Sequence, residues 1–314
     1  MTRRGTVRIA VVGVGHLGRH HARILAAMPG VELAFVVDIG RARAKEIAAA
    51  NGTQPLFDAR ELLGRVDAVT VAVPTEVHRD VSVPLLEAGI PVLVEKPLAR
   101  TLIEADEIIA AATCGSAVLG VGHTERFNPA LEAARSILEA PGFIEVHRLG
   151  AFPDRGLDVD VVFDLMIHDL DVLLSLVASE VESIEAVGVP VITPRVDIAN
   201  ARLRFENGCI ANVTASRISR DRVRKIRFFQ PASYLSIDYA EQKLEVYRLI
   251  RGAGPLPSIQ GGDVPIVREE PLKRELQDFV DAVTSDRQPL VDGEAGRRAL
   301  SLAQRVADKI SIQT

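Results

Sequence analysis

A chain of 314 residues is long enough for about two domains with buried cores. Lys and Arg number 37 against 42 Asp and Glu, aromatic residues make up 4% and Trp is absent, which excludes the basic surface and stacking platforms of a dedicated nucleic-acid binder. Two cysteines exclude a disulfide scaffold. Because no apolar run reaches 18 residues and Arg3-Arg4 precede no apolar signal region, we expect a cytoplasmic protein without nucleic-acid or membrane partners.

The first third of the chain alternates short apolar runs with helical segments. The predicted strands are 7–12, 32–37, 67–73, 91–95 and 117–122, and the predicted helices are 20–27, 41–51, 58–63, 84–88 and 102–113. Repeated strand–helix units predict parallel strands joined by right-handed crossovers. We therefore expect an α/β dinucleotide-binding domain, a doubly wound Rossmann sheet, over residues 1–124.

The sequence pattern changes after about residue 125. Strands are predicted at 143–149, 181–189, 198–205, 210–216, 223–229, 234–238 and 243–248, and helices at 129–139, 160–177, 271–285 and 293–310. Successive strands without intervening helices predict an open, mostly antiparallel sheet, hence an α+β domain over residues 125–314 for substrate binding and oligomerisation. The Gly- and Pro-rich segment 251–262 predicts a surface loop.

A glycine-rich string follows the first predicted strand and begins the first helix. It runs Gly13-Val14-Gly15-His16-Leu17-Gly18. In this context its glycines allow a tight turn, a close backbone approach to a pyrophosphate, and packing of the helix on the sheet. The free N–H groups at the start of the helix favour phosphate. The string predicts a dinucleotide site, the alternative being a purely structural turn.

Asp38 follows Gly18 by 20 residues, at the end of the second strand, where a carboxylate would bind the ribose 2′-hydroxyl. The carboxylate favours NAD, because the 2′-phosphate of NADP would meet like charge; NADP is the alternative. Pro74, Thr75 and His78 follow the third predicted strand, and we expect them near the cofactor, although a plain turn with a Thr cap explains them equally well.

Glu95-Lys96-Pro97 follows the buried strand 91–95. Ligands of open α/β sheets bind beyond the carboxyl ends of the strands, so Lys96 is a candidate for binding a substrate hydroxyl and moving its proton, with Glu95 beside the cofactor. A surface Lys–Glu pair is the alternative.

The apolar helix predicted at 160–177 carries one polar stripe. At about 100° per residue, Asp160, Asp164, His168 and Asp171 share one side. A polar stripe on a buried helix needs partners or a ligand. His168, oriented by Asp164, is a candidate general acid/base. A buried structural network is the alternative, and no metal is predicted, because no Cys or second His lies nearby.

In this order, the Gly13–Gly18 string, Glu95-Lys96-Pro97 and the segment from Asp164 to Asp171 resemble the Gfo/Idh/MocA oxidoreductase family across nearly the whole chain. The resemblance implies a Rossmann domain joined to an α+β domain whose open sheet forms homodimers or homotetramers. It also implies that Lys96 contacts the reacting hydroxyl beside a cis Lys96–Pro97 bond, with His168 as acid/base.

The strings Gly122-His123-Thr124-Glu125-Arg126-Phe127-Asn128-Pro129 and Ser216-Arg217-Ile218-Ser219-Arg220 resemble the branch of this family that oxidises UDP-N-acetylglucosamine at C3 for lipid A-type pathways. The resemblance implies NAD-dependent oxidation of a nucleotide sugar to a 3-keto sugar, with Arg126 and Asn128 as substrate contacts alongside Lys96, Asp164 and His168. The alternatives are oxidation or reduction of an inositol, free sugar or imine, and a non-catalytic NAD-sensing protein.

Overall fold

The computed structural model describes residues 5–152, 159–251 and 257–312. The chain forms two compact units, Met1–Thr124 with Leu272–Leu300, and Glu125–Pro271 with Ser301–Thr314. The first boundary coincides with the predicted one. The segment 272–300, however, was predicted with the second domain and belongs to the first unit, so the domain prediction was wrong there.

The first unit contains the predicted parallel sheet. Its strands are β1 (Val7–Val12), β2 (Val31–Val37), β3 (Gln54–Leu56), β4 (Ala68–Val71), β5 (Val92–Glu95) and β6 (Leu119–Gly122), and its first helices are α1 (Gly18–Ala26), α2 (Arg41–Ala50), α3 (His78–Glu87) and α4 (Leu102–Cys114). The spatial order is β3-β2-β1-β4-β5-β6, so the order reverses between β1 and β4. Ligands bind such sheets at this crevice.

Two short segments of the first unit differ from the predicted elements. The segment predicted as a helix at 58–63 is a 3₁₀ turn, Ala59–Leu62, preceded by the short strand β3. Helix α3 begins at His78 rather than at residue 84, so Pro84 lies inside it.

The second unit contains a nine-stranded sheet. Its strands are β7 (Phe143–Leu149), β8 (Val181–Val189), β9 (Ile198–Phe205), β10 (Ile210–Ser216), β11 (Val223–Gln230), β12 (Ser233–Asp238), β13 (Lys243–Ile250), β14 (Ser258–Val264) and β15 (Ser311–Ile312). The spatial order is β14-β13-β12-β11-β7-β10-β9-β8-β15. All neighbours are antiparallel except β7 with β10 and β8 with β15. This confirms the open, mostly antiparallel sheet.

Strand β14 overturns part of the loop predicted at 251–262. It is an edge strand, and its exposed residues show no apolar alternation. Gly261 pairs with Tyr247 on β13, where an added Cβ would lie 2.0 Å from the Val246 carbonyl oxygen. Glycine here serves close strand packing rather than a turn, which is why the composition misled the prediction.

Helix α5 covers Pro129–Arg135 and is shorter than predicted. The long helix predicted at 160–177 consists of a π-helical turn, Val162–Met166, followed by α6, Ile167–Leu176. Its bounds agree with the prediction, but the π turn changes which side chains share a face.

Two helices follow, α7 (Pro271–Ser285) and α8 (Gly293–Lys309). Helix α7 buries Leu272, Leu276, Phe279 and Val280 in the core of the parallel sheet, which explains why this segment belongs to the first unit. Within the described part of the chain, no helix is long and apolar enough to cross a membrane.

Candidate active site

The glycine turn after β1 is shaped by contacts that tolerate no side chain. Gly13 has φ +83°, and an added Cβ would lie 2.7 Å from the Ala72 carbonyl oxygen. A Cβ on Gly18 would lie 1.8 Å from the Gly13 carbonyl oxygen, so the first turn of α1 packs directly on the loop. A Cβ on Gly15 would meet nothing within 4 Å. Gly15 therefore leaves open space beside the positive end of α1, as binding of a pyrophosphate requires.

Asp38 ends β2 beside this turn and is 8% exposed. Its carboxylate accepts hydrogen bonds from the backbone N–H groups of Val14, at 3.1 Å, and Gly40, at 2.7 Å. Arg43 Nη1 lies 3.5 Å from Oδ2. The carboxylate therefore fixes the glycine turn relative to β2, and its remaining lone pairs can accept a hydroxyl.

A cavity of about 880 Å³ lies over the carboxyl ends of the strands. Of the predicted cofactor residues, those that line it are Gly13, Gly15, His16, Asp38 and Pro74. Leu17, Gly18, Thr75, His78 and Glu95 do not line it. Its size is at the upper end for small-molecule sites, and charged Arg43, Asp58 and Arg60 line it too.

Lys96 follows β5, and the Lys96–Pro97 bond is cis, as the resemblance implies. Its backbone N–H donates to Glu95 Oε2 at 3.2 Å. The buried Glu95 carboxylate therefore folds back onto the peptide of the lysine that follows it. This contact assigns Glu95 to the lysine turn rather than to the cofactor cavity.

His78, the first residue of α3, is 1% exposed. Its Nδ1 lies 3.0 Å from the Pro97 carbonyl oxygen and its Nε2 lies 3.0 Å from the Val73 carbonyl oxygen. Burial lowers the pKa of His78, so the neutral ring donates to one of the two carbonyls. His78 thus joins the end of β4 to the lysine turn.

The second unit holds the other catalytic candidates. Asp164 lies in the π-helical turn and His168 in the first turn of α6, and both are half-buried. A π turn within a helix often marks a functional site. Asp160 does not share their role, because its carboxylate accepts the Val196 backbone N–H at 3.0 Å.

Asp171, the last residue of the predicted stripe, lies in a buried ion pair. Its Oδ1 lies 3.2 Å from Nη1 of Arg126, a predicted substrate contact that is only 9% exposed. Asn128, the other predicted contact, is also buried: its Oδ1 caps α5 at Ala130 N, and its Nδ2 donates to the Tyr239 carbonyl oxygen. Both side chains therefore have internal partners that account for their placement.

Arg148 and Asp169 form a buried ion pair next to His168 that the sequence did not reveal. Arg148, on β7, holds Asp169 beside His168 and also donates to Glu125 at 3.0 Å. Burial acts to lower the pKa of Arg148, but the charges of Asp169 and Glu125 outweigh it and raise that pKa. An arginine at a buried position of an alternating strand is the one signal that could have indicated this pair.

Comparisons with known proteins identify the family of the chain. Residues 7–123 match the Gfo/Idh/MocA family model, described as an oxidoreductase family with an NAD-binding Rossmann fold, and residues 102–229 match the Gfo/Idh/MocA C-terminal domain. UDP-N-acetylglucosamine 3-dehydrogenase from Acidithiobacillus ferrooxidans is 40% identical over 304 residues, 96% of each chain. The chain belongs to the Gfo/Idh/MocA oxidoreductase family.

A solved structure and a second relative support the same assignment. A solved structure of UDP-N-acetylglucosamine 3-dehydrogenase from Acidithiobacillus ferrooxidans superposes with a TM-score of 0.91, at 38% identity and 97% coverage of each chain. The scyllo-inositol 2-dehydrogenase (NAD(+)) of Bacillus subtilis is 30% identical over 232 residues, 68% of each chain. The predicted family, enzyme class and fold are thus confirmed.

As a family member, the chain is an NAD-dependent dehydrogenase, and NAD fits the residues of the cavity. Gly15 leaves a space that a side chain would fill, and Asp38 places a carboxylate at the wall of the same cavity. A 2′-phosphate would meet that carboxylate, which favours NAD over NADP.

Proposed function

We propose that this enzyme oxidises the C3 hydroxyl of UDP-N-acetylglucosamine, or a closely similar nucleotide sugar, to the 3-keto sugar. The observation that carries the proposal is the 40% identity to the Acidithiobacillus ferrooxidans 3-dehydrogenase, which extends over 96% of both chains and so includes both units. The strings at residues 122–129 and 216–220 support the same branch.

When bound, NAD⁺ would supply the acceptor for the hydride from C3. In this proposal the backbone of the Gly13–Gly18 turn and the N-terminus of α1 bind the diphosphate of the cofactor. The Asp38 carboxylate accepts a hydrogen bond from the adenosine ribose. These groups fix the cofactor at the crevice where the strand order reverses.

Lys96 and His168 are the two candidates for the base. As the C3–H bond breaks and its electron pair leaves with the hydrogen, the base takes the hydroxyl proton and the C3–O bond becomes a carbonyl. Lys96 binds the reacting hydroxyl, and Asp164 orients His168. The oxidation removes one hydride and one proton from the substrate, and either residue can accept the proton.

The direct test is the appearance of NADH absorbance after stoichiometric enzyme and NAD⁺ are mixed with a panel of substrates. Stoichiometric enzyme reveals even one turnover of an unfavourable oxidation. We expect a signal with UDP-N-acetylglucosamine and none with free N-acetylglucosamine or inositols. A signal only with scyllo-inositol would overturn the proposed substrate in favour of the activity named for the Bacillus subtilis relative.

We also propose that two or four copies associate through the open face of the nine-stranded sheet. Phe143, Phe229, Tyr234 and Tyr247 form one row across neighbouring strands, with ring centroids 5.5, 5.2 and 6.2 Å apart. Phe229 is 38% exposed and Tyr247 37% exposed. Such a row fits the apolar centre of a protein interface.

Light scattering tests this association. We expect the wild-type protein to be a dimer or tetramer and the double variant Phe229→Lys/Tyr247→Lys to be a monomer. A monomeric wild-type protein would contradict the proposal.

A cytoplasmic location completes the proposal. Cys114 and Cys209 are both free, and burial raises the pKa of the Cys209 thiol to about 11, which keeps it protonated and unreactive. Unpaired thiols are typical of proteins in a reducing compartment.

A further inference from the structure

A buried histidine on the cofactor helix contacts the lysine turn. Nε2 of His21, on α1, lies 3.1 Å from Oε1 of Glu95, the residue before Lys96. The His21 side chain is 0% exposed and that of Glu95 6% exposed. Oε2 of the same carboxylate accepts the backbone N–H of Lys96 at 3.2 Å. One carboxylate therefore joins α1 to the peptide of the catalytic candidate.

The space for this carboxylate exists because β6 ends in glycine. Gly122 is the neighbour of Glu95 in the parallel pairing of β5 and β6. A Cβ at position 122 would lie 2.9 Å from the carboxyl carbon and from both oxygens of Glu95. The sheet thus leaves room for a buried acid where a methyl group would displace it.

The hydrogen bonds determine which nitrogen of His21 carries the proton. Nδ1 is buried and has no hydrogen-bond partner among the residues that the structure describes. A proton on Nδ1 would place an unsatisfied donor in the core, which is costly. A proton on Nε2 alone avoids this cost and is donated to Glu95. The Glu95 carboxylate then accepts two N–H groups, one from the His21 side chain on α1 and one from the Lys96 backbone.

We propose that His21 is a positioning residue for Lys96 and acts through Glu95. This inference rests on the proposed catalytic role of Lys96. His21 holds the Glu95 carboxylate, and that carboxylate holds the Lys96 peptide, while His78 contacts the carbonyl of Pro97, the next residue. The same α1 that begins at the glycine turn therefore also sets the backbone of the lysine. Small displacements of a reacting group are costly in rate.

The test compares His21→Leu, which removes the donor, with His21→Gln, which retains an N–H at a similar distance from the backbone. Ile108→Ala, a buried truncation in α4, serves as a control for general destabilisation. Each variant is assayed for kcat and its pH profile, KM, and NAD⁺ affinity with whichever substrate the wild-type enzyme oxidises. In parallel, the rate at which an activated acetyl ester acetylates Lys96 is measured and divided by the rate for Lys273, which is exposed.

We expect His21→Leu to lower kcat about ten- to a hundredfold with little change in NAD⁺ affinity. We also expect it to change the pH profile and the labelling rate of Lys96, and His21→Gln to restore both. The inference would be overturned if His21→Leu left kcat and the labelling rate of Lys96 unchanged. It would also be overturned if His21→Leu caused only the losses seen with Ile108→Ala and His21→Gln did not restore them. If UDP-N-acetylglucosamine is not oxidised, the substrate proposal fails, whereas the labelling of Lys96 still decides the role of His21.

Discussion

Arg148 donates two hydrogen bonds to Asp169, the residue that directly follows His168, with Nε–Oδ2 at 2.7 Å and Nη2–Oδ1 at 2.9 Å. Both side chains are almost completely buried. This bidentate pair attaches the first turn of α6 to β7. Two parallel hydrogen bonds restrict rotation of the helix about its axis, and they therefore also restrict the orientation of the backbone that carries His168.

Replacing Arg148 by Met should destabilise the protein by about 3–5 kcal/mol, because it leaves the Asp169 carboxylate buried without its partner. Chemical denaturation followed by circular dichroism measures the loss. The double variant Arg148→Met/Asp169→Leu is the matched control and should recover part of it, since no charge is then buried alone. Equal losses in the single and double variants would contradict this account.

Lys96→Ala should lower kcat by about 10²–10⁴-fold, the usual contribution of a positioned proton-transfer group, while NAD⁺ still binds. The glycine turn and Asp38 are unchanged in this variant, so the affinity measured by calorimetry should remain. Lys273→Ala, which removes an exposed lysine of α7, should behave as wild type. A Lys96→Ala enzyme with normal turnover would refute the role of this lysine.

Asp38→Ala should weaken NAD⁺ binding more than NADP⁺ binding, because it removes an acceptor for the ribose hydroxyl and a charge that repels the 2′-phosphate. The ratio of the two dissociation constants, measured by fluorescence titration, isolates this effect from any loosening of the glycine turn. Glu46→Ala removes an exposed carboxylate from α2 and should leave the ratio unchanged. Equal weakening of both cofactors by Asp38→Ala would contradict the cofactor assignment.

His78 should make the folded state less stable in mild acid. Burial lowers the pKa of His78 below its usual 6.5, so below pH 6.5 the unfolded chain takes up a proton that the folded chain resists. Its contribution is therefore present above pH 6.5 and is lost as the pH falls toward the folded-state pKa. The stability difference between wild type and His78→Gln should shrink between pH 7.5 and about 5.5. A difference that stays constant across this range would disprove the linkage.

Local signals were sufficient for most of the fold, including the glycine turn and the position of Asp38 at the end of β2. The apolar run of β1, the glycines after it and Asp38 lie within 32 residues, positions 7–38, and each follows from backbone sterics or strand periodicity. The edge strand β14 could not be predicted in this way, because Gly261 serves close packing against Tyr247. The position of α7 depended on a core formed by strands far away in the sequence.

The helix that carries Asp164 and His168 shows why the remaining contacts were harder to predict. A constant 100° per residue placed Asp171 with Asp164 and His168, whereas the Asp171 carboxylate is buried and pairs with Arg126, 45 residues away in the sequence. The partners of Asp169 and Glu95 lie 21 and 74 residues away. No local pattern identifies such pairs, since only the completed fold brings the strands and helices together.

The central claim is that hydride leaves C3 of the sugar. UDP-N-acetylglucosamine deuterated at C3 would be mixed with stoichiometric enzyme and NAD⁺, and the reduced cofactor would be examined by mass spectrometry. The account predicts that the cofactor gains one deuterium and that its reduction is slower than with the unlabelled sugar. Reduced cofactor without deuterium would show that the hydride comes from another carbon and would contradict the proposed reaction.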